Sequence, residues 1–178
     1  CTDMSKESID ALNTYLTHST DRGLWYSRAE MNTGERTATR FGALDAFFPA
    51  VLALSGDINR AQQLQRSCLK MWQLHTIEPE QLDYEAMEVV SPGYPLRPEI
   101  MESAYYLYQY TGDESYLQMG RLFFEDLVKH CKTSNGYAHL KSVITKEKSD
   151  AMESFFLVET LKYLYLLLAE EDVLHFDV

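Results

Sequence analysis

Apolar residues along this chain recur mostly at spacings of three and four, the period of a helix with one face turned inward. Ile9, Leu12 and Leu16 open the pattern and predict a helix over about residues 5–18. Between Gly23 and Met31 the period changes. Leu24, Tyr26, Arg28 and Glu30 interleave with Trp25, Ser27, Ala29 and Met31, which predicts a strand, with Asn32-Thr33-Gly34 as the turn of a short hairpin. Helical spacing returns from about Gly42 and then repeats itself. The apolar run Phe47–Leu54 stops at Ser55-Gly56-Asp57, and a helix over about Ile58–Leu74 follows. Ala104–Tyr110 likewise stops at Thr111-Gly112-Asp113, and a helix over about Ser115–Lys132 follows. In each unit the Gly can close one helix in a left-handed cap and the Asp can open the next. A third such helix is expected from near Met152 to about Leu168. Leu157, Leu161, Leu164 and Leu168 would share its apolar face, and Glu170-Glu171-Asp172 would stand in for the turn.

The two Gly-Asp turns lie 56 positions apart. A repeat of that length suits αα-hairpins set around an axis, where each layer of helices buries a face against its neighbours. The expected fold class is therefore all-α, part of an α/α toroid, with a short β-hairpin near the N-terminal end of the chain. Two and a half hairpins do not close a ring, and the chain opens on Cys1 rather than on Met. It is therefore expected to be a portion of a longer domain. The connections Thr76–Leu96 and Thr133–Ser149 are long, and loops carried on a rigid scaffold are where sites collect.

Composition narrows the partners. The 178 residues are one domain's worth of chain, with 46% hydrophobic and 24% charged residues, an ordinary globular balance. Asp and Glu number 27 against 16 Lys and Arg, for a net charge of -11. Such a surface repels phosphate backbones and anionic headgroups, so no nucleic acid and no membrane partner is expected. Apolar stretches such as Leu164–Ala169 are too short to span a bilayer. Cys1, Cys68 and Cys131 form no CxxC pair, which argues against a zinc cluster and leaves at least one thiol without a mate in this chain. His18, His75, His130, His139 and His175 show no ligand spacing and are expected on the surface or in loops. Gly-rich phosphate loops, GxSxG and HExxH are absent.

Two segments carry candidate chemistry. In Tyr94-Pro95-Leu96-Arg97-Pro98-Glu99-Ile100-Met101-Glu102-Ser103, Pro98 suits a first helical turn. Glu99 and Glu102 then share a helix face, and Arg97 just before them can clamp a carboxylate or a pair of sugar hydroxyls. The same pattern also describes an ordinary helix start with acids placed for the macrodipole. In Met152-Glu153-Ser154-Phe155-Phe156-Leu157-Val158-Glu159-Thr160, Phe155 and Glu159 share a face. Burying Glu159 unpaired would be costly, so it faces water, meets a partner or lines a polar cavity. An aromatic ring beside a carboxylate is what a pyranose requires: a flat apolar face to stack on and an acceptor for hydroxyls.

Taken together, YPLRPEIMES (94–103), the following Tyr105–Asp113 and MESFFLVETLKYLYLL (152–167) resemble glycoside hydrolase family 47, the class I α-1,2-mannosidases. Ala43-Leu44-Asp45-Ala46-Phe47-Phe48-Pro49 is similar to a segment of the ER degradation-enhancing (EDEM or Htm type) subgroup, and the resemblance covers roughly residues 24–178. It implies an (αα)7 barrel, of which residues 1–178 would be the C-terminal portion of the catalytic domain. It also implies inverting removal of terminal α-1,2-linked mannose from high-mannose N-glycans on misfolded glycoproteins, in the endoplasmic reticulum lumen, with Ca²⁺ as cofactor. Glu99 would activate the water, while Arg97, Glu102, Phe155 and Glu159 would line the mannose pocket. Glu99 and Glu159 would also hold waters around the calcium. The N-terminal half of the barrel is an implied partner, as is a protein disulfide isomerase-like oxidoreductase. The chain departs from the family pattern in lacking an E-x-x-I-R segment for the general acid and the Thr segment that contacts calcium. It also has Ala near position 43, where processing mannosidases carry His, and Ala151 where a basic residue is common. By the first two departures the chain alone is expected to be inactive, and the third leaves open a weak or selective activity. The alternative reading is a lectin-like receptor that binds mannose without cleaving it, which would not need Glu99.

Overall fold

The computed structural model describes residues 2–169. Helix α1 (Thr2–Tyr15) is followed by β1 (Thr17–Thr20), β2 (Gly23–Tyr26), β3 (Arg28–Ala29), β4 (Arg36–Ala38) and β5 (Arg40–Gly42). A 3₁₀ turn (Leu44–Phe47) leads into α2 (Phe48–Leu54) and α3 (Ile58–Leu74). Next come β6 (Gln81–Asp83), β7 (Glu88–Ser91), α4 (Glu99–Thr111) and α5 (Ser115–Cys131). A π-helical turn (Phe156–Thr160) then runs into α6 (Leu161–Leu168). The expected 170–172 turn, and Cys1 and His175, lie outside the described residues.

The helical repeat takes the form that the Gly-Asp turns predict. Asp57 caps α3 by accepting the Arg60 N–H at 3.1 Å. Gly112 closes α4 at φ 65°, its N–H donating to Tyr108 O, a left-handed position that glycine adopts without a Cβ penalty. Helices α2, α4 and α6 pack side by side as one layer, with α3 against α2 and α4, and α5 against α4 and α6. Gly120 lets α5 and α6 meet closely, since a Cβ there would come within 2.5 Å of the Leu167 side chain. Across the second layer Trp72 is fully buried, packs on Phe123 and donates its indole N–H to Asp126 at 2.8 Å. Losing a side chain of that size from a core costs about 3–5 kcal/mol.

Several expectations need correction. Helix α1 ends at Tyr15, because Thr17–Thr20 pairs antiparallel with Gly23–Tyr26 instead of continuing the helix. The expected 23–31 strand breaks at Ser27, whose N–H and hydroxyl both donate to Leu16 O. Its second half, β3, pairs with β4 around the Asn32–Gly34 turn, so the expected hairpin is present. The segment 76–96 is not a plain loop. It contributes β6 and β7, which join β5 in a three-stranded antiparallel sheet. The last helix starts at Phe155 rather than Met152. Its π turn holds an extra residue and rotates the apolar face, so the buried positions are Phe156, Thr160, Tyr163, Leu164 and Leu167, and Leu157 is 55% exposed. Apolar side chains also stay exposed at the two edges of the helix layer, Phe47 and Leu54 at one and Val158 and Tyr165 at the other. No helix among the described residues is long and apolar enough to cross a membrane.

Candidate functional site

The loop that precedes α4 is built to hold Glu80 and Arg97 together. Glu80 donates its N–H to Gly93 O and accepts the Ala43 N–H at its carbonyl, so its backbone is fixed from both sides. Tyr94 exchanges both backbone hydrogen bonds with Leu140, which pins the stretch just before Arg97. The Arg97 guanidinium then grips the Glu80 carboxylate with two donors, Nη2 to Oε1 at 2.6 Å and Nε to Oε2 at 3.2 Å. This fork geometry is the stronger kind of ion pair, and it holds the Arg97 pKa above its ordinary value. The clamp expected of Arg97 thus closes on a protein carboxylate, and its guanidinium carbon lies over the Phe155 ring, 5.9 Å from the ring centre.

Glu99 opens α4 with one carboxylate oxygen, Oε2, buried and without a protein donor. Burial raises its pKa above the ordinary value; its own backbone N–H and Arg97 pull the other way, and Glu102 and Glu80 push it up further. Glu102, one turn on, accepts the Tyr163 hydroxyl at 2.7 Å. Phe155, just before the π turn, and Glu159 on it are half-buried, and Glu159 pairs with Lys162 at 2.5 Å. The structure therefore brings Arg97 and Phe155 together and surrounds Glu99 with the charges of Arg97, Glu102 and Glu80. Glu159 meets a cation from its own helix.

Four further residues shape the site. Glu80 completes the Arg97 clamp, and its signal was the acid-rich composition of the 76–96 segment. Thr160 and Tyr163 tie α6 to the 96–102 segment, donating to Leu96 O and Glu102 Oε1, each at 2.7 Å. Glu78 is fully buried, and neither carboxylate oxygen meets a protein donor. Burial drives its pKa well above the ordinary value, with Glu99 and Glu80 adding to the shift and Arg97 opposing it. The Cys68 and Cys131 thiols are buried and free. Burial pushes Cys131 up to about 12 and Cys68 well above its ordinary value, so neither is a ready nucleophile.

The sequence matches the model of glycosyl hydrolase family 47 over residues 1–178, further toward the N-terminus than the motifs alone reach. It is 40% identical over 147 residues to alpha-mannosidase I MNS5 of Arabidopsis thaliana, which covers 82% of this chain and 26% of that protein. It is 37% identical over 174 residues to the mouse ER degradation-enhancing alpha-mannosidase-like protein 2, covering 97% of this chain and 30% of that protein. The chain thus spans under a third of the length of these relatives. An alpha-1,2-mannosidase from Trichoderma reesei superposes with a TM-score of 0.80 at 24% identity, over 92% of this chain and 41% of that one. That likeness makes the stacked hairpins part of an α/α barrel. The chain belongs to glycosyl hydrolase family 47, among its ER degradation-enhancing, mannosidase-like members.

Proposed function

We propose that this chain supplies the Glu99 half of the active site of an ER-lumenal α-mannosidase, which removes terminal α-1,2-linked mannose from high-mannose N-glycans of misfolded glycoproteins with inversion. The observation that carries this reading is the Glu99 carboxylate at the α4 N-terminus, with one buried, unpartnered oxygen between Arg97 and Glu102. A carboxylate made more basic by burial is a better acceptor for the proton of an attacking water. An inverting pair stands about 6.5–9.5 Å apart to leave room for that water. The acid partner would come from the part of the barrel that docks on the exposed apolar edges of the helix layer. Phe155, braced by Arg97, offers its face to the sugar ring, and Glu102 and Glu159 offer acceptors to its hydroxyls.

The oxygen donors here suit a hard cation such as Ca²⁺, and the orphaned Glu99 oxygen is free to accept from a coordinated water. Among the described residues no three His, Cys, Asp or Glu side chains converge on a metal position. Glu99 and Glu159 would therefore hold the ion through waters rather than directly. When bound, Ca²⁺ supplies charge that orients sugar hydroxyls.

The test is mass-spectrometric trimming of a high-mannose glycan by the complete catalytic domain, with Ca²⁺ or with chelator, beside Glu99→Gln. Calcium-dependent loss of hexose that falls at least ~10²-fold in Glu99→Gln, with glycan binding kept, is the expected result. Glycan binding with no hexose loss in the wild type would favour a lectin and overturn the enzyme reading.

A further inference from the structure

Helix α6 does not begin as an ordinary helix. Its first turn, Phe156–Thr160, is π-helical, a local widening that turns up often at functional sites. The widening leaves Phe155 and Glu159 half-buried at the site and turns Leu157 and Val158 outward. It also carries Thr160 into the core, where the residue is fully buried. A buried hydroxyl needs an acceptor. Thr160 Oγ1 finds one in the Leu96 carbonyl, at 2.7 Å.

Leu96 is an unusual acceptor. Its φ of 63° lies in the left-handed region, which a non-glycine residue adopts only when its surroundings hold it there. The residues that leave Leu96 are Arg97, Pro98 and Glu99, so its dihedral sets the direction in which the Arg97 side chain and the first turn of α4 are presented. The surroundings that hold it are its own buried side chain, the Thr160 hydroxyl, and the Tyr94 hydroxyl donating to Arg97 O at 3.1 Å. One turn along, Tyr163 donates to Glu102 Oε1 at 2.7 Å. Thr160 and Tyr163 are three residues apart and share a helix face. Their two acceptors, Leu96 and Glu102, bracket Arg97 and Glu99 in the chain.

We infer that Thr160 is a positioning residue, with Tyr163 as its second point of attachment. The two hydroxyls fix the register between the helix that carries Phe155 and Glu159 and the segment that carries Arg97, Glu99 and Glu102. Neither hydroxyl touches the reacting atoms in this role. The sugar-stacking half of the site is thereby held at one distance from the half that carries the base, and small misplacements of such groups are costly to rate. This inference rests on the mannosidase reading for its kinetic consequence, but its structural consequence stands apart.

The experiment uses the complete catalytic domain with three substitutions. Thr160→Val keeps shape and removes the donor, Thr160→Ser keeps the donor, and Leu164→Ala destabilises the same helix one turn on without touching either acceptor. Mannose release and backbone amide exchange over 95–103 are measured well below each melting temperature. Thr160→Val should lower kcat/KM by ~10-fold or more, mainly through kcat, and should speed exchange over 97–102. Thr160→Ser should stay within ~2-fold of wild type, and Leu164→Ala should lower Tm while keeping kcat. Wild-type kcat and exchange in Thr160→Val would overturn the inference, as would an equal kcat loss in Leu164→Ala or no rescue by serine. If the wild type binds glycan but cleaves none, the mannosidase reading fails, and the inference is still judged by exchange and by glycan affinity. Should Thr160→Val not fold, Tyr163→Phe carries the same two readouts at Glu102.

Discussion

The start of α4 and the start of α6 meet at the same site but are held by different means. Arg97 donates two hydrogen bonds to Glu80 in a distant strand connection, and Glu102 accepts a hydroxyl from another helix. Phe155 lies beside Arg97, and Glu159 pairs with Lys162 on its own helix, with the Glu159 and Lys162 side chains each 40% exposed. The α4 side is cross-braced by several long-range contacts, whereas the π turn is tied in through the buried Thr160 hydroxyl and leaves Glu159 half-exposed. This division suits the proposed hydrolase: Glu99, the proposed base, sits on the more heavily braced side, and Phe155 and Glu159, proposed to meet the sugar ring and its hydroxyls, keep room to adapt.

The clamp is the most sensitive point of the α4 side. Glu80→Gln removes one charge of the Arg97 pair and should cost about 1.5–3 kcal/mol of stability, read from denaturant midpoints. If the midpoint does not move, the rigid side owes nothing to that pair. Glu78→Leu tests the buried acid behind it and should stabilise the fold by about 1–3 kcal/mol at neutral pH, since two unpartnered oxygens leave the core. The gain depends on pH in a definite direction. The Glu78 pKa is raised in the fold, so the folded state binds the proton more tightly than the unfolded chain does. Wild-type stability from this group is intact below the ordinary value of 4.5 and is lost as pH rises toward the folded pKa. The advantage of Glu78→Leu should therefore widen from pH 4 to pH 7.5, and a constant difference would rule out a protonated Glu78. On the adaptable side, Phe155→Ala should weaken glycan binding by about 1–2 kcal/mol in calorimetry, with little change in Tm. Binding equal to wild type would remove the stacking role. Smallest of all, Lys162→Met should change stability by less than about 1 kcal/mol, because the pair is exposed and screened. A larger loss would mean that the Glu159–Lys162 pair braces the π turn alongside the Thr160 hydroxyl.

What the sequence revealed follows from the range of its signals. The helix–turn–helix units were legible because Gly56, Asp57, Gly112 and Asp113 act within their own turns, and α3 has the bounds that periodicity predicts. Strands β6 and β7 were not legible. They are three and four residues long and mix Gln, Asp and Glu with Leu and Val, too short to show a period. The π turn escaped for a related reason: one extra residue breaks the helical count at Leu157, and nothing local announces it. In the site, Arg97, Glu99 and Glu102 stood out because they are adjacent. Glu80 and Tyr163 were hidden because their roles depend on contacts 17 and 61 residues away in the chain.

The two buried thiols also make a clock. Cys68 lies on α3 and Cys131 on α5, one in each helical hairpin. Both react with an alkylating agent in the unfolded chain and become inaccessible once their hairpin has packed. A pulse of reagent during refolding, read by peptide mass, would therefore time the closure of each hairpin separately. In an oxidising compartment the same interval is when either thiol could be captured by another protein's disulfide, so the order in which the hairpins close sets which cysteine is at risk.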